Sequence, residues 1–237
     1  TELALAKRTS QNASIILLEE PENHLSHTRL NQLIKCISEQ YAEKQILIST
    51  HSSFVANKLG LGKVMLLDNL RITKFSELSE DTYNFFKKVA GYDTLRMILC
   101  KKAILCEGDS DELVIQKAYM QLNDGRLPIE DGIEVISVGV SFLRFLEIAD
   151  CIQTKIAVVT DNDGDLAAIN KKYENYIGAN QKEYIKICVD DVVDTGTLKI
   201  GKSDYNYNTL EPKLLKANGL DKLNRIFGTA YTDEDDL

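Results

Sequence analysis

Short apolar runs set off by polar clusters recur along the first hundred residues. Ser14-Ile15-Ile16-Leu17-Leu18 is too short for a helix and rich in β-branched side chains, which predicts a buried strand. It ends in Glu19-Glu20-Pro21-Glu22, where the proline stops a paired ladder. Apolar Leu30, Leu33, Ile34 and Ile37 then fall at helical spacing, so residues 26–40 read as a helix. Residues 45–49 predict a second buried strand running into Thr50-His51-Ser52, and residues 64–67 a third. Upstream, Leu3-Ala4-Leu5-Ala6 reads as the inside of a helix with no cap before it, which suggests a piece of a longer protein.

Residues 69–98 contain no strong strand and read as a connector with helices near 83–89 and 94–99. From Lys101 the pattern restarts: strands at 103–106, 133–138 and 156–160 alternate with helices at 111–122 and 142–152. Such alternation predicts an α/β fold with a parallel sheet and crossover helices. Residues 185–189 are a further strand candidate, and the polar stretch 190–209 has no assignment. The expected organisation is therefore 1–68, a connector at 69–100, and 101–237.

Composition narrows the class. The 237 residues are 44% hydrophobic and 27% charged, with 3 prolines and 13 glycines, which excludes a disordered or low-complexity chain. No apolar run approaches the ~18 residues of a membrane span and no signal peptide opens the chain, so the expectation is a soluble cytoplasmic protein without a membrane partner. Cys36, Cys100, Cys106, Cys151 and Cys188 lack any CxxC pair and read as buried thiols of a reducing compartment. Charge is uneven: residues 1–100 carry 12 Lys and Arg against 11 Asp and Glu, and residues 101–237 carry 16 against 25. An acidic half argues against a polyanion partner unless its acids hold cations.

Paired glutamates after a buried strand suggest a mechanism. One carboxylate can hold Mg2+ while its neighbour orients water against a phosphate, with His51 reaching the γ-phosphate. A solvated acidic turn and an ordinary loop histidine are the plainer reading of either feature alone. The run from Ile15 to Leu25 resembles the Walker B and D-loop of ABC-type ATPases of the RecF/SMC-like group, and Ser49-Thr50-His51-Ser52 resembles their switch histidine. That resemblance implies Glu19 as an Mg2+ ligand, Glu20 as general base and His51 as γ-phosphate sensor. His24 and His27 have an HxxH spacing, but no third ligand is evident and the D-loop resemblance makes them surface residues. No G-x-x-x-x-G-K-[ST] occurs, so the expectation is a partial ABC ATPase lobe, with ATP bound only by the full-length protein.

The second constellation is carboxylates at strand ends. Glu107-Gly108-Asp109-Ser110-Asp111-Glu112 follows one predicted strand, with Asp111 in the first turn of the next helix. Asp161-Asn162-Asp163-Gly164-Asp165 follows another, and ligands of parallel α/β sheets sit outside the carboxyl ends of the strands. Converging carboxylates repel and must protonate or bind cations, and hard oxygen donors suit Mg2+ or Mn2+. Two such ions stabilise the attacking and leaving oxygens when a phosphodiester is cut. An EF-hand starting at Asp161 would need glycine and glutamate where Leu166 and Lys172 stand. A haloacid-dehalogenase-type phosphatase would want threonine where Asp165 stands, and leaves Glu107 unexplained.

These acids resemble the Toprim domain of topoisomerases, primases and some nucleases, with Glu107 as its glutamate and Asp161 and Asp163 as its DxD pair. A Toprim domain directly behind an ABC lobe resembles the OLD (overcoming lysogenization defect) nucleases, relatives of the Gabija nuclease subunit. The resemblance implies an α/β, Rossmann-like Toprim fold and a metal-dependent endonuclease acting on duplex DNA, in an anti-phage setting. It implies Asp111 as a second acid and Glu211, in Asn208-Thr209-Leu210-Glu211, as the ligand of a second metal. Glu112 and Asp165 would be outer acids, and no downstream lysine matches the family's convincingly. Homo-oligomers through the ATPase module and a helicase partner belong to the same expectation. A nucleotide-regulated DNA-binding switch without cleavage is the alternative, and a primase-like enzyme a third.

Overall fold

The computed structural model describes residues 15–23, 25–40, 44–68, 71–75, 78–88, 92–200 and 202–234. The helix expected over residues 3–6, His24 and the side chain of His27 lie outside the described residues. The chain forms two compact units, residues 1–96 and 97–237.

In the first unit, β1 (Ile15–Glu19) and β2 (Gln45–Ser49) pair in parallel, with Ile15 opposite Gln45 and Glu19 opposite Ser49. A parallel pair needs a crossover, and α1 (His27–Gln40) provides it. Leu30 and Ile34 of α1 form a buried cluster with Val55 of α2 (Ser53–Leu59), and Ile48 of β2 packs against it. The expectation of fully buried strands is corrected on one face. Ile15, Leu17 and Leu47 are 53%, 72% and 43% exposed, so among the described residues only the helix side of the pair is covered.

The segment read as strandless also contains a strand. β3 (Met65–Asp68) pairs antiparallel with β4 (Arg71–Lys74), Met65 opposite Lys74 and Asp68 opposite Arg71. Arg and Lys at both ends of β4 interrupt the apolar run by which a strand is recognised. Helices α3 (Glu80–Lys88) and α4 (Tyr92–Leu99) then begin slightly before the positions expected from apolar spacing.

In the second unit four parallel strands stand in the order β6-β5-β7-β8: β5 (Lys102–Cys106), β6 (Ile133–Ser137), β7 (Lys155–Val159) and β8 (Ile185–Cys188). Crossovers α5 (Asp109–Leu122) and α6 (Phe142–Ile152) link the first three. Leu105, Ile136 and Val158 are fully buried within the sheet, and α6 covers it with Phe142, Leu146 and Ile148. The chain leaves β5 toward β6 on one side and β7 toward β8 on the other. The carboxyl ends of β5 and β7 therefore flank a topological switch point, where crevices open in such sheets.

The unassigned stretch forms a hairpin, β9 (Thr197–Ile200) with β10 (Ser203–Asn206), followed by helices α8 (Leu210–Asn218) and α9 (Leu220–Phe227). Between β7 and β8 lies α7 (Leu166–Lys172). All five cysteines are free thiols, but only Cys106 is fully buried; the other four are half-buried, a correction to the expected burial. Among the described residues no helix is long and apolar enough to cross a membrane.

Candidate active site

The first unit gathers its polar candidates at the carboxyl ends of β1 and β2. Glu19 is the last residue of β1 and exposed, while Glu20 turns out of the strand with φ +40°. Its N–H donates to the Ser49 carbonyl at 2.8 Å, which fixes the turn against β2. The Glu20 carboxylate accepts from Asn23 Nδ2 at 2.7 Å and lies 3.2 Å from His51 Nε2. A non-glycine residue in the left-handed region is uncommon and is a reason to look for function.

Sequence reasoning missed Glu22. Its Oε1 accepts from Thr50 Oγ1 at 2.6 Å and from the N–H groups of His51 and Ser52 at 3.2 and 3.1 Å. The carboxylate thus shapes the turn that presents His51. Glu22→Ala is expected to destabilise the first unit by about 2–3 kcal/mol, since bonds to a charged acceptor are lost together. Urea unfolding followed by circular dichroism measures this, and an unchanged midpoint would contradict it.

In the second unit the acids come from three segments. Glu107 follows β5; Asp111 sits in the first turn of α5, where its Oδ2 accepts the Gly108 N–H at 2.8 Å; Asp161 and Asp163 follow β7. Their charges bear on Asp161 and Glu107. Burial, then Asp111, Glu107 and Asp163, push the Asp161 carboxyl up from 3.8 to about 6, against an opposing hydrogen bond from the Leu210 N–H. Burial and Asp163 likewise raise Glu107, with Asp111 adding to them and Lys172 opposing. Glu211 is exposed in the first turn of α8 and is not among the acids acting on Asp161, although the N–H of its neighbour Leu210 reaches that carboxylate. Asp165 caps α7, its Oδ1 accepting the Ala168 N–H at 2.9 Å. Glu112 accepts a hydrogen bond from Gln116 at 3.0 Å on its own helix.

Two asparagines that sequence reasoning passed over hold this loop. Asn162, between the two aspartates, is fully buried; its Nδ2 donates to the carbonyls of Asp190 and Val192 at 2.8 and 2.9 Å, and its Oδ1 accepts the Gly164 N–H at 3.0 Å. This Asx-type turn lets Asp163 adopt φ +50° and Gly164 φ +83°. A Cβ at Gly164 would also lie 3.3 Å from Asn208 Nδ2, so glycine suits the position twice over. Asn208, itself buried, exchanges two hydrogen bonds with the Asp194 backbone at 2.8 and 3.0 Å. The aspartate loop, residues 190–194 and the start of α8 are thereby joined. A D-N-D-G run is itself the signal of such a turn.

The donor set suits a hard divalent cation in type and charge: Glu107 and Asp161, raised by burial and by neighbouring acids, gain from a positive ion beside them. Among the described residues, however, no three His, Cys, Asp or Glu side chains are close enough to grip one ion as they stand.

Residues 98–163 match the family model described as "Overcoming lysogenization defect protein-like, TOPRIM domain". Residues 3–57 match the model described as "AAA domain, putative AbiEii toxin, Type IV TA system". No curated protein matches the chain.

Proposed function

Because the chain carries an OLD-like Toprim domain behind an AAA-type ATPase segment, the domain order of the OLD family, we propose that it is the nuclease part of an ATPase-coupled enzyme that cleaves duplex DNA with divalent metal. The observation that carries this reading is the placement of Glu107, Asp111, Asp161 and Asp163 at the carboxyl ends of β5 and β7, where the charges of Asp111, Glu107 and Asp163 are felt at Asp161 and those of Asp163 and Asp111 at Glu107.

Glu107, Asp161 and Asp163 are the catalytic acids in this reading, and they would hold Mg2+ or Mn2+ together with Asp111 and Glu211. The bound ions would supply a nucleophilic water and neutralise charge on the phosphate oxygens. The residues' own task is positional. Asn162 sets the directions of the two aspartates through its three hydrogen bonds, and the Leu210 N–H holds one face of Asp161. Burial, with Asp111, Glu107 and Asp163 beside it, pushes the Asp161 carboxyl up to about 6. In the ATPase segment, Glu19 would assist Mg2+, Glu20 would act as general base and His51 would contact the γ-phosphate of ATP, each in the full-length protein.

Nicking of supercoiled plasmid tests the reading. Relaxed and linear forms are expected with Mn2+ or Mg2+ and none in chelator. Duplex binding without any cutting would favour the switch hypothesis instead.

A further inference from the structure

The side chain of Lys172 has no part in the acid group and yet is placed beside it. It is the last residue of α7, half-buried, while its neighbour Lys171 in the same turn is exposed. Its Nζ lies 5.4 Å from the ring centroid of Phe142 and 5.2 Å from that of Tyr173. The two rings are fully buried and meet edge to face, centroids 6.4 Å apart at 72°, so they form a stiff support. Phe142 opens α6 just past the carboxyl end of β6. The turn before it is bonded to Glu107: the Gly139 N–H and Ser137 Oγ both donate to the Glu107 carbonyl, at 3.0 and 3.1 Å. The ammonium is thereby set at the same end of the sheet as the acids, and its charge is felt at Glu107.

Three other lysines of this unit are tied to carboxylates. Lys213 and Lys216 pair with Asp190 and Asp194, and Lys182 pairs with Asp150. Among the described residues no carboxylate lies within ion-pair distance of Lys172. A lysine at a helix C-terminus also complements the helix dipole, but Lys171 does that equally well and needs no aromatic support. Ring faces restrain an ammonium without using its N–H donors, so all three remain for a ligand.

We propose that Lys172, held across Phe142 and Tyr173 at the carboxyl end of the sheet, is a substrate-contacting residue that binds a backbone phosphate of the DNA beside the cut. The inference rests on the nuclease reading above. An otherwise acidic crevice gains from it one fixed cation that orients the strand before any metal acts.

Lys172→Met and Lys172→Arg in the full chain test it, with plasmid nicking in Mn2+ and duplex binding in Ca2+ at several salt concentrations. The methionine variant is expected to lose about tenfold in kcat/KM, mainly through KM, the scale of one charge-assisted bond. Its salt slope for duplex binding is expected to fall by about one. Arginine should restore most of both. Nicking and a salt slope like those of wild type in Lys172→Met would overturn the proposal and leave the nuclease reading intact. Wild type that neither cuts nor binds duplex would overturn both. If Lys172→Met melts early, Lys172→Gln repeats the measurement; a loss that follows melting temperature in both, with the salt slope unmoved, also overturns it.

Discussion

Asp161→Asn is expected to lower metal-dependent nicking by at least about 100-fold while leaving the metal-free fold no less stable. Loss of a group that aligns a reacting phosphate or its ion acts on this scale. The amide keeps the shape of the carboxylate and keeps an oxygen to accept the Leu210 N–H, but removes a charge that burial and three acid neighbours already disfavour. A carboxylate in such surroundings is costly to the empty fold, so removing its charge relieves repulsion. Glu107→Gln is expected to behave alike, since burial and Asp163 disfavour its charge too. Plasmid nicking and thermal melting of the same preparations give both numbers. Full activity in either variant, or a melting temperature lowered by several degrees, would contradict the placement of these acids.

Asn162→Ala is expected to be the most damaging change in the second unit that touches no charge, costing about 2–4 kcal/mol and most of the nicking activity. The side chain is fully buried and makes three hydrogen bonds, and its loss strands two backbone carbonyls and one N–H. It also frees the residues on either side, Asp161 and Asp163, from the turn that aims them. Urea unfolding of the second unit measures the stability term. A variant within about 0.5 kcal/mol of wild type, the range of ordinary surface substitutions, would show that the turn does not depend on this side chain.

Much of the second unit was legible because its signals are strong and local. Apolar runs of strand length alternating with helical spacing give the four parallel strands, and α6 falls at residues 142–152 as read from the sequence. Acids directly after β5 and β7 were legible for the same reason, as strand ends in a parallel sheet project to one edge. The hairpin β9–β10 was not, because Ser203-Asp204-Tyr205-Asn206 has no apolar face to betray it: all four residues are exposed. β4 was hidden by its own terminal charges. Glu22, Asn162 and Lys172 escaped for a further reason. What each does depends on partners 28–30 positions away or on rings from another helix, and such pairings appear only when the chain has folded. Glu211 shows the opposite case: a motif places it, but its exposed carboxylate stands outside the set of charges acting on Asp161.

In the proposed enzyme the acids following β5 and β7, together with Asp111, form a seat for divalent cations. Because the folded Asp161 carboxyl is raised from 3.8 to about 6, its proton is held more tightly in the fold than in the unfolded chain. It therefore favours the metal-free fold fully below about pH 4, and that contribution is lost as pH rises through about 6. Metal needs the deprotonated form, so affinity should rise across the same window. Electron paramagnetic resonance of Mn2+ titrated into the protein between pH 5 and pH 8 is the direct test. The expected result is bound Mn2+ that tightens as pH passes about 6, and only free Mn2+ in the Asp161→Asn/Asp163→Asn double variant. Equal Mn2+ binding by wild type and double variant, or none by wild type at pH 8, would contradict it.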